Sequence, residues 1–126
     1  MIQFMLDPKG GTPFYRQIID QIKFGIASGN LKVGEQLPTV RALAVELKVN
    51  LNTVTKAYKE LEIQSILSTQ QGTGTFVSST PIKINPKESK AKLAGICSEF
   101  LSIAQSYGFS IDEIIGELKN RKGETK

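Results

Sequence analysis

The sequence predicts an α+β fold in which three short helices and a β-hairpin are followed by a separate pair of helices. Three observations support this prediction. Apolar residues recur every three or four positions in five segments, as on helices with one buried face. Residues 63 to 80 carry no charge, and β-prone stretches flank Gln71-Gly72-Thr73-Gly74, which indicates a hairpin turn. The length of 126 residues suits one domain, or one small domain with an appendage.

The first helix is predicted to begin near a proline and to end at a glycine. Thr12 is a candidate N-cap, Pro13 fits the first turn, and Gly29 is typical of a helix C-terminus. One apolar stripe runs along this helix, formed by Phe14, Ile18, Ile22 and Ile26. Residues 32–36 are expected to form a polar connection to the next helix.

Two further helices are predicted to follow, joined by a very short link at Lys48-Val49. Thr39 is a candidate N-cap for the second helix, and Asn50 for the third, which spans 51–61. Their inward residues are Val40, Leu43, Ala44 and Leu47 in the second helix and Val54, Ala57, Tyr58 and Leu61 in the third. Two short helices joined in this way form a helix-turn-helix, and the uncharged hairpin after them makes it a winged helix-turn-helix.

The chain is therefore predicted to divide into a winged helix-turn-helix domain at residues 1–79 and a short two-helix appendage at residues 80–126. Ser79-Thr80-Pro81 is interpreted as the linker between them, because serine, threonine and proline cluster there.

The appendage is predicted to be a helical hairpin that needs a partner. Asn85-Pro86 predicts a capped helix start, Gly108 a helix end, and Ser110 to Glu113 a capping box, while the tail from Asn120 to Lys126 is expected to fray. Its apolar residues at helical spacing are Leu93, Ile96, Cys97, Phe100, Ile103, Ala104, Tyr107, Ile111, Ile114, Ile115 and Leu118. Two helices with one apolar face each cannot enclose a core of their own. We therefore expect this face to be a homodimer interface, and the alternative is that the hairpin folds back on the winged domain of the same chain.

Composition excludes several classes of function. There is no histidine and a single cysteine, Cys97, so no His/Cys zinc site, no Ser-His-Asp or Cys-His catalytic group and no disulfide within one chain can form. We expect no metal, no cofactor and no enzymatic activity, and we expect the Cys97 thiol to be a small buried apolar group rather than a redox sensor. The apolar runs are far shorter than the ~20 residues of a membrane-spanning helix. Since the N-terminus also lacks an export signal, we expect a cytoplasmic protein without a membrane partner.

The distribution of charge is suggestive of a nucleic-acid partner. The net charge is +4, and no acidic residue lies between Glu46 and Glu60. A helix can read the major groove of B-DNA when its outer face carries hydrogen-bond donors and acceptors instead of carboxylates. Opposite its inward stripe, the third helix carries Asn52, Thr55, Lys56 and Lys59. The alternative interpretation is an ordinary solvated helix face.

Four blocks of the sequence resemble the DNA-binding domain of GntR-family regulators, in the same order and at the same spacing. They are Pro13 to Ile18, Gly34 to Ala44, Val49 to Val54 and Gln71 to Val77. The resemblance covers residues 12 to 78. The short appendage, together with Thr39-Val40-Arg41 and Asn52 to Tyr58, is similar to the YtrA-type subfamily.

This resemblance implies a homodimeric bacterial transcription regulator, usually a repressor, that binds double-stranded DNA at a palindromic operator. It implies contacts from the second helix, the third or recognition helix, and the tip of the wing. The residues expected to contact DNA are Thr39, Arg41, Asn50, Leu51, Asn52, Thr53, Thr55, Lys56, Lys59, Gly72, Thr73 and Gly74. Regulators of the YtrA type often accompany genes for ATP-binding cassette (ABC) transporters, which suggests such an operon as the target, but no residue identifies an effector.

Two features depart from the family pattern. Leu51 and Thr55 stand where many relatives carry arginine, and the wing has Gln70, Gln71 and Thr73 where relatives often carry basic residues. Fewer cations release fewer counterions from DNA, so we expect weak non-specific binding and a shallow dependence of affinity on salt.

Alternatives remain open for single residues and for the whole chain. Arg41 could form an ion pair with Glu46 or Glu60, and Asn52 and Thr53 could serve only the start of the third helix. A winged-helix adaptor that binds RNA or protein would show no preference for a palindromic duplex. A small enzyme would need groups that the composition does not supply.

Overall fold

Five helices and one β-hairpin make up the chain. The computed structural model describes residues 2–80, 82 and 84–124. In chain order the elements are α1 (Phe14–Ala27), α2 (Val40–Leu47), α3 (Leu51–Ile63), β1 (Leu67–Gln70), β2 (Gly74–Val77), α4 (Pro86–Ser106) and α5 (Ile111–Glu124). This order confirms the α+β class and the winged helix-turn-helix followed by two helices. The elements fall into two compact units, divided between Ile84 and Asn85. Pro81, part of the predicted linker, lies outside the described residues.

The first unit is built around one apolar core to which α1, α2, α3 and the hairpin all contribute. Every inward residue predicted for α3 is buried, and in α2 Leu43 and Ala44 are buried while Val40 and Leu47 pack against the core. The buried residues are Phe4, Ile18, Ile19, Ile22, Leu31, Leu37, Leu43, Ala44, Val54, Ala57, Tyr58, Leu61, Ile66, Leu67 and Val77. Since burying one large aliphatic side chain contributes about 1.5–3 kcal/mol, this core is what holds α3 in place.

In the first unit, side-chain caps set the start of α2 and α3 but not of α1. Thr39 Oγ1 accepts the Ala42 N–H at 3.0 Å, and Asn50 Oδ1 accepts the Asn52 N–H at 2.8 Å, which confirms both predicted caps. The prediction for Thr12 is wrong, because Pro13 itself occupies the N-cap position and no side chain caps α1. The Pro13 carbonyl accepts the N–H groups of Arg16 and Gln17, so the helix starts one residue later than the proline suggested.

The tight connection between α2 and α3 depends on a left-handed residue. Lys48 has φ 58° and ψ 45°, and the N–H groups of Lys48 and Val49 both reach the carbonyl of Ala44. This geometry closes the C-terminus of α2 as a glycine would usually do. It leaves only three residues between the two helices and so sets the angle at which α3 leaves the turn.

The wing is a two-stranded hairpin with a third segment along its free edge. The strands β1 and β2 pair antiparallel, from Leu67 with Val77 to Gln70 with Gly74. Residues 34–37, which include most of the predicted polar connection at 32–36, lie beside β2. The Leu37 N–H donates to the Thr75 carbonyl at 2.8 Å, and the Gly34 N–H donates to the Val77 carbonyl at 2.8 Å. The connection therefore also pairs with the edge of the hairpin, which gives backbone groups of β2 their partners.

The segment before α1 is held along that helix by two glutamines. The side-chain amide of Gln17 accepts from and donates to the backbone of Asp7, both at 2.8 Å, and Gln21 does the same for Met5 at 3.0 and 2.5 Å. Positions 17 and 21 lie one turn apart on the same face of a helix. The two amides therefore pair with alternate residues of the extended segment, as a neighbouring strand would. Phe4, which precedes Met5 in this segment, is buried in the core.

The second unit is the predicted helical hairpin. Asn85 Oδ1 accepts the Lys87 N–H at 2.9 Å, and the capping box between Ser110 and Glu113 is closed in both directions. Gly108, at φ 87°, follows the end of α4. All of these predictions are confirmed. Within the described residues, no helix is both long enough and apolar enough to cross a bilayer.

The predicted fraying of the C-terminal tail is wrong for residues 120–124. The helix α5 continues to Glu124, with an ion pair of 3.2 Å between Arg121 Nε and Glu117 Oε1 and with basic side chains in its last turn. Both features stabilise the last turns of α5. The i,i+4 ion pair links successive turns, and cations near the C-terminus offset the helix dipole. Thr125 and Lys126 lie outside the described residues.

Candidate nucleic-acid interface

The outer face of α3 presents polar and basic side chains to solvent. Asn52, Lys56 and Lys59 are exposed, Thr53 and Thr55 are half-buried, and Leu51 is 40% exposed. This face lies opposite Val54, Ala57, Tyr58 and Leu61, which are buried. The structure thus exposes the predicted face, whose residues 51–59 include no carboxylate. Its side chains are available to a partner.

Three predicted site residues already spend part of their hydrogen-bonding capacity within the chain. The side-chain oxygens of Thr39 and Asn50 accept the cap hydrogen bonds described above, and Thr55 Oγ1 donates to the Leu51 carbonyl at 3.0 Å. Thr39 retains its hydroxyl hydrogen and Asn50 its amide NH₂ as donors. These two residues, at the starts of α2 and α3, can therefore donate to an anion while they cap.

Arg41 lies on the exposed side of α2, two residues after its cap. Its side chain is exposed, and it forms no ion pair with any residue that the structure describes, including Glu46 and Glu60. The Glu60 carboxylate instead accepts a hydrogen bond from Gln64 Nε2 at 3.0 Å. The alternative of an internal ion pair is not found, and the guanidinium is accessible to a partner outside the chain.

Lys56 has a neighbour that the sequence analysis missed. Its Nζ lies 3.9 Å from the centroid of the Tyr15 ring in α1, and the guanidinium carbon of Arg16 lies 5.5 Å from the same centroid. A cation over an aromatic ring at such distances is attracted by about 0.5–1 kcal/mol at an exposed site. Tyr15 and Arg16 both fall within the block Pro13 to Ile18, which is one of those that carry the family resemblance. The available signal was an aromatic residue in the first turn of α1, one position off the apolar stripe and next to an arginine.

The tip of the wing is narrow and uncharged. Gly72 and Gly74 have φ values of 80° and 137°, and Thr73 between them is exposed. The Thr73 carbonyl accepts a hydrogen bond from Gln36 Nε2 at 3.1 Å. A Cβ on Gly74 would collide with that same nitrogen. The shape of the wing therefore requires glycine at position 74 and a residue that tolerates a positive φ at position 72. Gln36 is a second residue at the wing that the sequence analysis missed.

Among the buried residues of α3, Tyr58 is the one whose side chain carries a polar group. The Tyr58 hydroxyl is buried, and this burial, with a smaller effect from the charge of Glu46, raises the pKa of Tyr58 above its ordinary value near 10. The side chain is therefore a neutral hydrogen-bond donor at physiological pH. Among the described residues there is no group of carboxylate or cysteine side chains that could hold a metal ion.

The second unit exposes the apolar face that we expected to be a dimer interface. No residue of α4 is buried, and exposed fractions of 50% or more are found for Leu93, Ile96, Ile103, Tyr107, Ile111 and Leu118. Phe100, Ile115 and Cys97 are also exposed, and Ala104 is half-buried. The expectation that Cys97 is buried is therefore wrong within a single chain, because the two helices do not cover this face of α4.

Ile114 differs from the rest of that predicted interface. It is only 8% exposed, since it packs inside the hairpin. It lines an open groove of about 590 Å³ together with Phe100, Ala104, Phe109 and Leu118, and Glu113, Glu117 and Arg121 complete the lining. Its assignment to an intermolecular surface is corrected accordingly: Ile114 belongs to the internal contact between α4 and α5.

Comparison with known proteins places these features in a common context. The family model for bacterial regulatory proteins of the gntR family matches residues 14–77. The HTH-type transcriptional repressor YtrA of Bacillus subtilis (strain 168) is 50% identical over 78 residues, which are 62% of this chain and 58% of the repressor.

Solved structures resemble the chain as well. YtrA from Sulfolobus acidocaldarius, a GntR-family transcription factor, superimposes with a TM-score of 0.56 at 33% identity, covering 97% of this chain and 98% of that one. AraR(DBD) in complex with operator ORX1 superimposes with a TM-score of 0.51 at 31% identity, covering 62% of this chain and 93% of that one. The resemblance seen in the sequence is confirmed.

Proposed function

Because the chain belongs to the gntR family of bacterial regulatory proteins, we propose that it is a transcriptional repressor that binds a palindromic operator as a homodimer. It is a DNA-binding transcription regulator with a winged helix-turn-helix fold. The proteins it resembles are regulators, and we propose that it has no catalytic activity and acts in the cytoplasm. The observation that carries the proposal is the outward face of α3 over residues 51–59, which offers amide, hydroxyl and ammonium groups and no carboxylate.

The proposed mode of binding follows from the geometry of α3. A helix fits the major groove with its N-terminal residues against base edges. In α3 these residues are Leu51, Asn52 and Thr55. Asn52 can pair with the N6 and N7 groups of an adenine, and Leu51 can contact a thymine methyl group. We assign sequence readout to these side chains, because they lie in the first turns of the helix that the short turn presents, where Leu51 and Asn52 are exposed and Thr55 is half-buried.

Phosphate contacts are assigned to side chains around that helix. Thr39 and Asn50 can donate to phosphate oxygens from the two helix starts, and Arg41 has an accessible guanidinium on α2. Such contacts position the protein without reading sequence. The wing tip, Gly72 to Gly74, is proposed to approach the minor groove, where its lack of charge limits its contribution to affinity. The shallow salt dependence expected from the sequence follows from this small number of cations.

The homodimer is proposed from the exposed apolar face of the second unit. The helix α4 has 21 residues and no buried side chain, so α5 covers only a small part of its apolar surface. A second copy of the same face, related by a two-fold axis, would cover it and would present two α3 helices to DNA. Half-sites about 34–36 Å apart, or a multiple of that distance, match such symmetry.

The regulated genes are proposed from the YtrA-type resemblance alone. Since the relative from Bacillus subtilis is described as a repressor, we propose repression, with the operon of an ABC transporter as the target. No described residue identifies an effector, so release of the operator by a small molecule forms no part of the proposal.

Selection of bound sites from a pool of random duplexes tests the proposal most directly. We expect enrichment of an inverted repeat whose half-sites are about one helical turn apart, bound by two chains. The control is the double variant Asn52→Ala and Arg41→Ala, which keeps the core intact and should bind every duplex more weakly, with a consensus relaxed at one step of each half-site. Equal retention of all duplexes by the unchanged chain, or preferential binding of RNA, would instead favour the winged-helix adaptor.

A further inference from the structure

Tyr15, Arg16 and Lys56 form a cluster that joins α1 to the recognition helix; we call it the tyrosine–cation cluster. The Lys56 ammonium lies 3.9 Å from the centroid of the Tyr15 ring, and the Arg16 guanidinium carbon lies 5.5 Å from it. Both distances fall within the ~6 Å over which a ring face attracts a cation. The cluster spans two helices that are 40 residues apart in sequence, so it exists only in the folded chain.

Neither cation of the cluster, Arg16 or Lys56, forms an ion pair within the described part of the chain, and both side chains are exposed. Two like charges beside one ring repel each other, and an anion placed between or beside them relieves that repulsion. The cluster can therefore attract an anionic group that approaches from solvent.

The ring also limits where the Lys56 side chain goes. A free lysine has four rotatable bonds and explores a wide volume, and holding it costs conformational entropy. In this chain the ammonium rests on a ring of α1, which is the helix that packs beside α3. A lysine held there is directed toward α1 and not along α3 toward its N-terminus, where Leu51 and Asn52 are exposed.

We propose that Tyr15 is a positioning residue that holds the Lys56 ammonium for a phosphate of the DNA backbone, with Arg16 beside it as a second ligand of the same strand. This proposal rests on the proposed DNA-binding function and goes beyond it in one respect. From the sequence, Lys56 could contact either a guanine edge or a phosphate. The cluster assigns Lys56 to the phosphate, so Lys56 contributes affinity and not sequence preference.

Lys59 provides the matched comparison. It lies one turn further along α3, is exposed, and has no aromatic ring within contact among the described residues. Any effect of Tyr15 on DNA binding that operates through Lys56 must therefore be absent for Lys59. A general weakening of the fold would affect both.

The contact can first be measured in the free protein. Protons that lie over an aromatic ring are shifted upfield in NMR spectra, so the Hε protons of Lys56 should be upfield of those of Lys59. Tyr15→Leu should abolish the difference, and Tyr15→Phe should retain it because the ring face is kept. Identical Hε shifts for the two lysines in the unchanged chain would overturn the proposal.

The role in binding is then measured with the selected operator and a random duplex. Lys56→Ala should weaken both complexes by the same factor and lower the slope of log K against log salt by about 0.9 for each bound chain, and so by about 1.8 for a dimer. Tyr15→Leu should weaken both by roughly two- to fivefold for each bound chain, Tyr15→Phe should restore binding, and Tyr15→Leu should have no further effect in a Lys56→Ala background. In a Lys59→Ala background its effect should persist undiminished.

These measurements separate the two proposals. If the unchanged chain selects no duplex, the proposed function fails, and the NMR result stands by itself. If it selects an operator but Lys56→Ala changes the preferred base at one step of each half-site, the lysine reads a base and the inference is wrong. Thermal unfolding of each variant shows whether a loss of binding reflects a loss of fold, and recovery in Tyr15→Phe decides any case in which Tyr15→Leu is unstable.

Discussion

The hydroxyl of Tyr58 donates a hydrogen bond of 2.8 Å to the carbonyl oxygen of Pro38, twenty residues earlier in the chain. Pro38 immediately precedes the cap of α2, and Tyr58 lies in the middle of α3. This bond ties the recognition helix to the start of the helix before it, at a point where the tyrosine ring is already part of the core. The relative placement of the two helices is thus set by one polar contact in addition to apolar packing.

Tyr58→Phe should lower the free energy of unfolding by about 1 kcal/mol, because it removes this bond and leaves the Pro38 carbonyl without its donor. Urea denaturation at pH 7 measures the difference. Tyr15→Phe is the control, since that hydroxyl forms no hydrogen bond among the described residues and its change should cost almost nothing. An equal loss in both variants would contradict the role given to the bond.

The same residue predicts a dependence of stability on pH. Burial, followed by the charge of Glu46, raises the pKa of Tyr58 in the folded chain, so above about pH 10 the unfolded chain loses this proton more readily than the folded one. Stability from this group is complete below that pH and declines as the pH rises further. Tyr58→Phe should remove this part of the decline, which paired denaturation series from pH 8 to pH 11 would reveal.

Gly74→Ala should destabilise the wing by roughly 1–3 kcal/mol, because a residue with a Cβ rarely adopts φ near 137°. The new Cβ would also displace Gln36 Nε2 from the Thr73 carbonyl. Hydrogen exchange of the β2 amides measures the effect locally. Gly72→Asn is the matched control, since Gly72 has open space around it and asparagine tolerates its φ of 80°. Equal exchange rates in the two variants would contradict the steric argument.

Asn52→Ala should relax base preference at one step in each half-site, at a cost of roughly 1–3 kcal/mol for each lost bidentate pair. Helix stability should be unaffected, because the cap of α3 uses the Asn52 backbone N–H and the side chain of Asn50. Repeating the selection from random duplexes measures the change. An unaltered consensus would remove Asn52 from the proposed readout.

Arg41→Ala should weaken binding to operator and random duplexes alike and should lower the salt slope by about 0.9 for each bound chain, since each chain loses one phosphate contact. Binding titrations at several salt concentrations give the slope. Lys87→Ala removes the same charge from the first turn of α4 and should leave the slope unchanged. An equal fall of the slope in the Lys87 variant would mean that overall charge, and not the position of Arg41, governs affinity.

Phe100→Asp should dissociate the proposed dimer, because it would bury an unpaired charge in the interface. Sedimentation equilibrium measures the oligomeric state. Ser102→Asp introduces the same charge about 200° around the same helix and should leave the dimer intact. If the Phe100 variant sediments as the unchanged chain does, the interface lies on another surface.

Most of the architecture was predictable because its determinants are local. The helix starts at Thr39, Asn50 and Asn85 are predictable because each of these side chains accepts a backbone N–H no more than three residues later. The uncharged stretch from residue 63 to residue 80 indicates the hairpin of the wing. The inward face of α3 follows from spacing alone. The prediction that Thr12 caps α1 failed for a reason that is also local. Pro13 can occupy either the N-cap or the first turn, and only the geometry of its carbonyl decides between the two positions.

What escaped prediction depends on contacts between distant parts of the chain. Gln36 donates a hydrogen bond to the Thr73 carbonyl in the wing. The side chain of Gln17 bonds to the backbone of Asp7, ten residues before it. Tyr15 meets Lys56 only after α1 packs beside α3. No periodicity or spacing signals such pairs, since glutamine and tyrosine are common on any half-exposed surface. Cys97 was misjudged for the opposite reason, because helical spacing identifies an apolar face without showing whether one chain can cover it.

The pairing of residues 34–37 with β2 has a mechanical consequence. The same stretch continues directly through Leu37 and Pro38 into α2, which packs against α3, so backbone hydrogen bonds and the core both couple the hairpin to α3. We expect a duplex that is held by both to offer its major and minor grooves at one set separation, or to bend until it does. Because the stiffness of DNA varies with its base steps, steps that no side chain touches will also influence how tightly the duplex is held.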